Sequence, residues 1–392
     1  MARPILRFFF ALSLCVSFLP VLVRAQTISR RRDQAIFYTL DDPAGLASFL
    51  AHARHITTVA PQDFSLDYWG LLRGSISPEL LRAARLDHVR VMPLVINRGF
   101  AAWQATRMLE NPAARDRAIG ALLATAERLS LAGWQLDFEG LPWTDRPLLT
   151  RFVAQASRAL HRHGKVFSVA VAARTGDVHN GIYRSFSGVY DYAALARHCD
   201  FLSLMAYPEF GLHHPGPLAS YPWVAQVLAY VLRQVPPDKI SLGVPDYQTD
   251  WGYHRIRVTF WRRIGHRVYR HFRWIWRLIG LDGQARTHPG RLHWDPALRS
   301  SYRVYGHHLD RHIIWVETPR SIAAKLDLVS IYHLRGYSIW RLGLEDPRLW
   351  SHLPVVAPPL RLETASVTRP RSSQELPHLR SRSARGYMGA SR

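Results

Sequence analysis

Between about residue 34 and residue 350, short apolar runs rich in β-branched and aromatic residues alternate with longer stretches. In the longer stretches, apolar positions recur every three or four residues. The short runs fall at 35–39, 56–60, 89–96, 134–138, 166–172, 201–206, 240–244 and 337–341, and they read as strands. The longer stretches, at 43–54, 113–131, 146–163, 223–234 and 321–332, read as amphipathic helices. The first helix opens with Asp42, which can cap it, and Pro43, which suits the first helical position. Several strands are continuous apolar runs, the pattern of strands covered on both faces. Eight strands, most of them followed by a helix, predict an α/β fold, a single (β/α)8 TIM barrel.

One segment interrupts this alternation. Residues 252–294 hold ten Arg, eight aromatics and one acid, Asp282. Trp261, Ile264, Val268, Phe272, Ile275 and Ile279 recur at helical spacing, with Arg263, His266, Arg267, Arg270, Arg273 and Arg277 largely on the other side. The expectation is an inserted basic, aromatic-rich helix between the seventh and eighth strands. Its plain reading is an outer barrel helix with a solvated basic face. The alternative is a basic amphipathic helix lying on an anionic membrane or wall polymer.

Charge and composition narrow the setting. The chain has 392 residues and a formal charge of +22, with Lys only at 165, 239 and 325, so Arg carries nearly all of it. Such a balance favours an anionic neighbourhood. At the start of the chain, Arg3 and Arg7 precede the apolar run 8–23, and Val23-Arg24-Ala25 supplies small residues at a cleavage site. This is the layout of a secretory signal peptide cut after Ala25, the alternative being an uncleaved membrane anchor. Export to the periplasm or beyond argues against nucleic acid as a partner. Cys15 lies in the signal and Cys199 stands alone, so no internal disulfide is expected. From 356 to 392 the chain is rich in Pro, Ser and Arg and reads as a disordered basic tail. The expected organisation is thus a signal at 1–25, a barrel domain at 26–355 and the tail.

The strongest chemical signal is the fourth strand, Gly133-Trp134-Gln135-Leu136-Asp137-Phe138-Glu139-Gly140-Leu141. Residues two apart on a strand share a face, so Gln135, Asp137 and Glu139 point into the barrel while Leu136 and Phe138 point outward. Catalytic groups of such barrels sit at the C-terminal strand ends. Two carboxylates this close oppose one another's ionisation, and one tends to keep its proton. Other strand ends carry aromatics: Tyr207 on the sixth, Tyr247 after the seventh and Trp340 on the eighth. Rings around a carboxylate pair suit a sugar, whose C–H face stacks on them while its hydroxyls reach polar groups.

These residues resemble the family 18 glycoside hydrolases, the chitinase family, and in particular its branch of bacterial spore-cortex and cell-wall N-acetylglucosaminidases. The match is carried by 133–141, by Leu204-Met205-Ala206-Tyr207, by Pro217-Leu218-Ala219-Ser220 with Trp223, by 235–245, and by 337–346. The resemblance implies a retaining hydrolase of N-acetylated polysaccharide, without metal or cofactor, in which the substrate's own acetamido oxygen is the nucleophile. It implies Glu139 as acid and base, Asp137 as the group orienting the acetamide, and Tyr207 as a further catalytic residue. Gln135, Asn97, Glu209, Tyr247 and Trp340 are the expected substrate contacts. The chain departs from the family pattern at Ala132 and Gln135, where acids are usual, and at Pro208, where an Asp is usual. A non-catalytic, lectin-like protein on the same barrel is the alternative, and a scaffold held at a wall or membrane surface is a third reading.

Overall fold

The computed structural model describes residues 34–210, 215–260, 269–282, 289–307 and 310–355. The expected signal, 1–25, and tail, 356–392, lie outside the described residues.

The strands follow in chain order: β1 (Gln34–Thr39), β2 (Thr58–Pro61), β3 (Phe64–Leu66), β4 (Leu72–Gly74), β5 (Arg90–Val91), β6 (Leu94–Asn97), β7 (Gly133–Asp137) and β8 (Val166–Ala172). After them come β9 (Phe201–Met205), β10 (Ile240–Pro245), β11 (Gln248–Phe260), β12 (Tyr269–Asp282), β13 (Leu292–Asp295), β14 (Ser300–His307), β15 (Asp310–Val316) and β16 (Gly336–Trp340). Parallel pairing runs from β6 through β7, β8, β9, β10, β16 and β1 to β2. The ring closes through β5, which pairs with β2 in the register Thr58↔Arg90 and Val59↔Val91. From the other side, Ala132 N–H donates to Val91 O and Gln135 N–H to Pro93 O. The expected third strand is therefore one run, bonded to β2 at its start and to β7 at its end. It is broken at Met92-Pro93 because Pro93 has no N–H for the ladder. The result is a (β/α)8 barrel.

Its helices are α1 (Pro43–His52), α2 (Pro78–Leu86), α3 (Ala102–Glu110), α4 (Pro112–Arg128), α5 (Arg146–His161), α6 (Gly181–Ser185), α7 (Tyr192–His198), α8 (Tyr221–Val231) and α9 (Pro319–Ile331). Their starts are written in the sequence. Asp42, Ser77, Asn111, Ser220 and Thr318 each accept a backbone N–H of the first turn, and a Pro follows within two residues. Outward strand residues such as Trp134, Leu136, Val169, Leu204, Leu242 and Ile339 pack against this helical layer. Ile36, Tyr38, Ala60, Met92, Leu94 and Phe201 form a second, smaller cluster. Burial on both sides explains why the strands read as unbroken apolar runs. Among the described residues, no helix is long and apolar enough to cross a membrane.

The expected helix within 252–294 is overturned. The chain between β10 and α9 forms an antiparallel sheet in the order β12-β11-β15-β14-β13. β11 and β12 pair from Gln248↔Asp282 to Phe260↔Tyr269, with a register shift at Asp250/Trp251. Helical spacing of apolar residues was present, but so was a high density of aromatic and β-branched residues, which suit a pleated surface. Pairing with β15 on the other edge of β11 adds a partner that no local pattern reveals. Residues 261–268 and 283–288 of this segment lie outside the described residues. Residues 252–260 and 269–282 therefore build strands and not a basic helix resting on an anionic surface.

Where the inserted sheet returns to the barrel, Lys325 Nζ meets Glu317 Oε2 at 2.6 Å, with both side chains buried. Ser321 Oγ donates to the same carboxylate at 2.7 Å. Removing one partner leaves an uncompensated buried charge. Lys325→Ala is expected to lower stability by about 3–5 kcal/mol in denaturant unfolding. Lys325→Met combined with Glu317→Gln is expected to lose clearly less. Equal losses would show that the pairing itself matters little.

Candidate active site

Asp137 is the last residue of β7, and Glu139 follows two positions later. Gly140, at φ 74°, turns the chain away from the strand direction in a conformation that favours glycine. Both carboxyls line a cavity of about 270 Å³ at the C-terminal mouth of the barrel. Tyr38, Gln62, Phe100, Tyr207, Tyr247 and Trp340 line it with them. The Tyr38 and Trp340 rings lie 5.5 Å apart, and Asp246 N–H donates to Trp340 O at 3.0 Å. The peptides Tyr207–Pro208 and Trp340–Arg341 at this mouth are cis.

The backbone carrying Glu139 is held from two sides. Asn97, at the end of β6, accepts Glu139 N–H at 2.9 Å and donates to Glu139 O at 3.0 Å. Tyr190 donates its hydroxyl proton to Phe138 O at 2.8 Å. Asn97 was expected as a substrate contact, and the structure places it beside the cavity lining instead of in it. Its amide is fully buried, spends both ends on Glu139, and is not among the residues lining the cavity.

Gln62 Nε2 donates to Asp137 Oδ2 at 2.9 Å. Asp137 Oδ1 is buried and takes no hydrogen bond from an amide or hydroxyl. The Asp137 and Glu139 carboxyls are close enough to share a hydrogen bond when one of them is protonated. Burial raises both acids, and the hydrogen bonds from Gln62 and Glu139 pull Asp137 partly back, to about 6. Glu139 goes further, to about 8, because burial is followed by the Asp137 charge and by a hydrogen bond that keeps its proton. Near neutral pH the pair therefore holds one proton, mainly on Glu139.

Gln135 lies deeper. Its Nε2 donates to Tyr38 Oη at 2.7 Å, and its Oε1 accepts from Ser168 Oγ at 3.1 Å. Tyr38 Oη also meets Ser203 Oγ at 2.6 Å, and Ser203 meets Ser338 at 3.0 Å. The amide thus floors the cavity and supports Tyr38. Glu209, also expected as a substrate contact, stands apart from the cavity lining. It does not line the cavity, and its carboxylate accepts Ser220 N–H at 2.7 Å while its own N–H donates to Leu218 O. It closes the loop between β9 and α8.

Gln62 is a site residue that the sequence reading missed. It is the first residue after β2, a strand-end position, but the apolar run that marks the strand stops at Ala60. Tyr190 was missed for another reason: it reaches Phe138 from a loop 52 residues away. Among the described residues, no group of His, Cys, Asp and Glu is arranged to hold a metal.

The chain matches the glycosyl hydrolases family 18 over residues 58–345. It is 24% identical over 319 residues to the uncharacterized glycosylase YvbX of Bacillus subtilis, covering 80% of this chain and 88% of that one. It is 28% identical over 258 residues to the cortical fragment-lytic enzyme of the same organism, covering 65% of this chain and 56% of that enzyme. Among solved structures, a chitinase from Chromobacterium violaceum superposes with a TM-score of 0.69 at 25% identity, over 82% of this chain and 97% of that one. The spore cortex-lytic enzyme SleL of Bacillus megaterium gives 0.69 at 22% identity, over 81% and 72%. The chain belongs to the glycosyl hydrolases family 18 and is a glycoside hydrolase.

Proposed function

We propose that this hydrolase cleaves the β-glycosidic bonds of an N-acetylglucosamine-containing polysaccharide, with retention of configuration and with the substrate's acetamide as nucleophile. The observation that carries this reading is the Asp137–Glu139 pair itself. A protein nucleophile needs a second carboxylate across the sugar, about 5–5.5 Å from the acid. Here the two carboxyls are close enough to share a hydrogen bond, and no sugar fits between them. No other carboxylate is among the described residues lining the cavity. This supports a nucleophile supplied by the substrate itself, as the family resemblance implies.

In the first step Glu139 gives its proton to the glycosidic oxygen as the bond to the anomeric carbon breaks. The acetamido oxygen takes that carbon and forms an oxazolinium ion. Asp137, freed of the Glu139 proton, accepts a hydrogen bond from the acetamido N–H and offsets the positive charge. Water then attacks the anomeric carbon from the vacated side, Glu139 takes its proton, and the acetamide re-forms. Tyr207, Tyr247 and Trp340 supply the walls for the reacting sugar. The net charge of +22 supports an anionic polymer such as bacterial wall glycan over neutral chitin. The reading includes export, with 1–25 as the signal, 26–355 as the catalytic domain and 356–392 as a basic tail.

Products from peptidoglycan and from N-acetylglucosamine oligomers, analysed by mass spectrometry, test it. Glu139→Gln is expected to lower kcat by about 10²–10⁴-fold, with the β-anomer appearing first by proton NMR in the wild type. Unchanged hydrolysis, or α-product, contradicts it. The active form carries one proton on the pair. kcat/KM is therefore expected to fall below about 6, where Asp137 is neutralised, and above about 8, where Glu139 has lost its proton. Asn97→Ala leaves the pair present but loosely held, and is expected to lower kcat by up to about 100-fold with a smaller change in KM. A pure KM effect would assign Asn97 to substrate binding after all.

A further inference from the structure

The loop that carries Glu139 leaves β7 and ends at Arg146, the first residue of α5. It is tied at both ends to one other loop, residues 173–191 between β8 and α7. At its start, the peptide joining Phe138 to Glu139 accepts the Tyr190 hydroxyl proton on its oxygen, at 2.8 Å. At its end, Arg146 donates to Gly188 O through Nε at 2.9 Å and through Nη2 at 2.6 Å. The same Nη2 donates to Tyr183 Oη at 2.6 Å. The second loop also delivers Phe186 to the wall of the cavity. How firmly Glu139 is held thus depends on how firmly residues 173–191 are held.

Arg174 fastens them. It stands two residues past the end of β8 and is only 7% exposed. Its Nη2 donates to Tyr190 O at 2.9 Å, and its Nη1 donates to Asp177 Oδ1 at 3.1 Å. Its guanidinium lies 4.4 Å from the centre of the Tyr192 ring, and the Tyr192 hydroxyl donates to Ala172 O at the end of β8. The far end of the loop is therefore clasped to its own root. A planar fork can bond in two directions while its face rests on a ring, which a lysine ammonium cannot do.

Stability alone is a poor reason for an arginine here. The guanidinium is buried, the Asp177 side chain that pairs with it is 58% exposed, and Nε has no hydrogen-bond partner among the described residues. A buried cation served this incompletely costs free energy relative to an apolar residue of similar size. What the position gains is a fixed Tyr190. Its carbonyl is held by Arg174 while its hydroxyl holds the peptide oxygen beside Glu139. Asn97 holds the N–H of that same peptide from the opposite loop.

We propose that Arg174 is a positioning residue for the catalytic acid, acting through Tyr190 on the backbone that carries Glu139. This rests on the hydrolytic reading above and adds to it a residue that does not line the cavity.

A double-mutant cycle tests it, using the full chain and a soluble N-acetylglucosamine polymer. Arg174→Met keeps the length of the side chain but not its donors, and is expected to lower kcat about 10–100-fold with little change in KM. Tyr190→Phe removes the hydroxyl and is expected to lower kcat by a similar factor. Both changes act on one contact, so the double variant is expected to fall no more than about twofold below the lower single variant. Arg174→Lys keeps a donor within reach of Tyr190 O and is expected to recover part of the loss. It also replaces Arg174→Met in the cycle if the thermal midpoint shows that variant to be unfolded. Losses that multiply in the double variant, a pure KM effect, or an unchanged kcat overturns the assignment. If the wild type cleaves no glycan, the hydrolytic reading fails, and the tie is read from the infrared band of the Glu139 carboxylic acid. A band lost at lower pH in Arg174→Met than in the wild type supports it, and the same midpoint in both overturns it.

Discussion

Asp137 and Glu139 stand two residues apart at one strand end, in a space too dry for both to carry charge. Burial alone raises each of them, and the charge on Asp137 holds the proton on Glu139 further still. The pair is useful because of this conflict: one group is kept as an acid and the other as a carboxylate within the same few ångströms. The conflict also has a cost. An unfolded chain releases the Glu139 proton near its ordinary value of 4.5, whereas the folded chain keeps it to about 8. The folded state therefore binds more protons than the unfolded state between those values, and stability drops as pH rises through them.

The rest of the barrel can be read as support for that arrangement. β2 delivers Gln62 to Asp137, β6 delivers Asn97 to the backbone of Glu139, and a loop before α7 delivers Tyr190 to Phe138 O. Below them, Tyr38, Gln135, Ser168, Ser203 and Ser338 satisfy one another in a connected polar layer inside the barrel. A buried network of this kind is tolerable only when its members are paired. It gives the carboxyl pair a fixed floor without adding a charge. A closed ring of strands is what allows ends distant in sequence to meet over one cavity.

The barrel was legible because burial on both faces writes unbroken apolar runs, and because capping residues followed by proline mark where helices begin. Asp137, Glu139, Tyr207, Tyr247 and Trp340 were legible because strand ends at the mouth can be counted from the sequence. What was lost depended on pairing across distance. Asn97 stood out at a strand end, but its use on the Glu139 backbone required knowing that β6 lies beside β7. Gln62 follows a strand whose apolar run stops two residues short of it, and Tyr190 approaches from a remote loop. The stretch 252–294 misled because its apolar residues fit a helical period while its aromatic and β-branched content fits strands. Local pattern could not weigh the two, and pairing between β11, β12 and β15 decided it.

Infrared difference spectroscopy of the carboxyl C=O stretch, wild type minus Glu139→Gln across a pH series, addresses the shared proton most directly. The account predicts a protonated-carboxyl band at pH 7 that is present in the wild type, absent in the variant, and lost as pH rises through about 8. A wild-type spectrum at pH 7 with both groups ionised would contradict it.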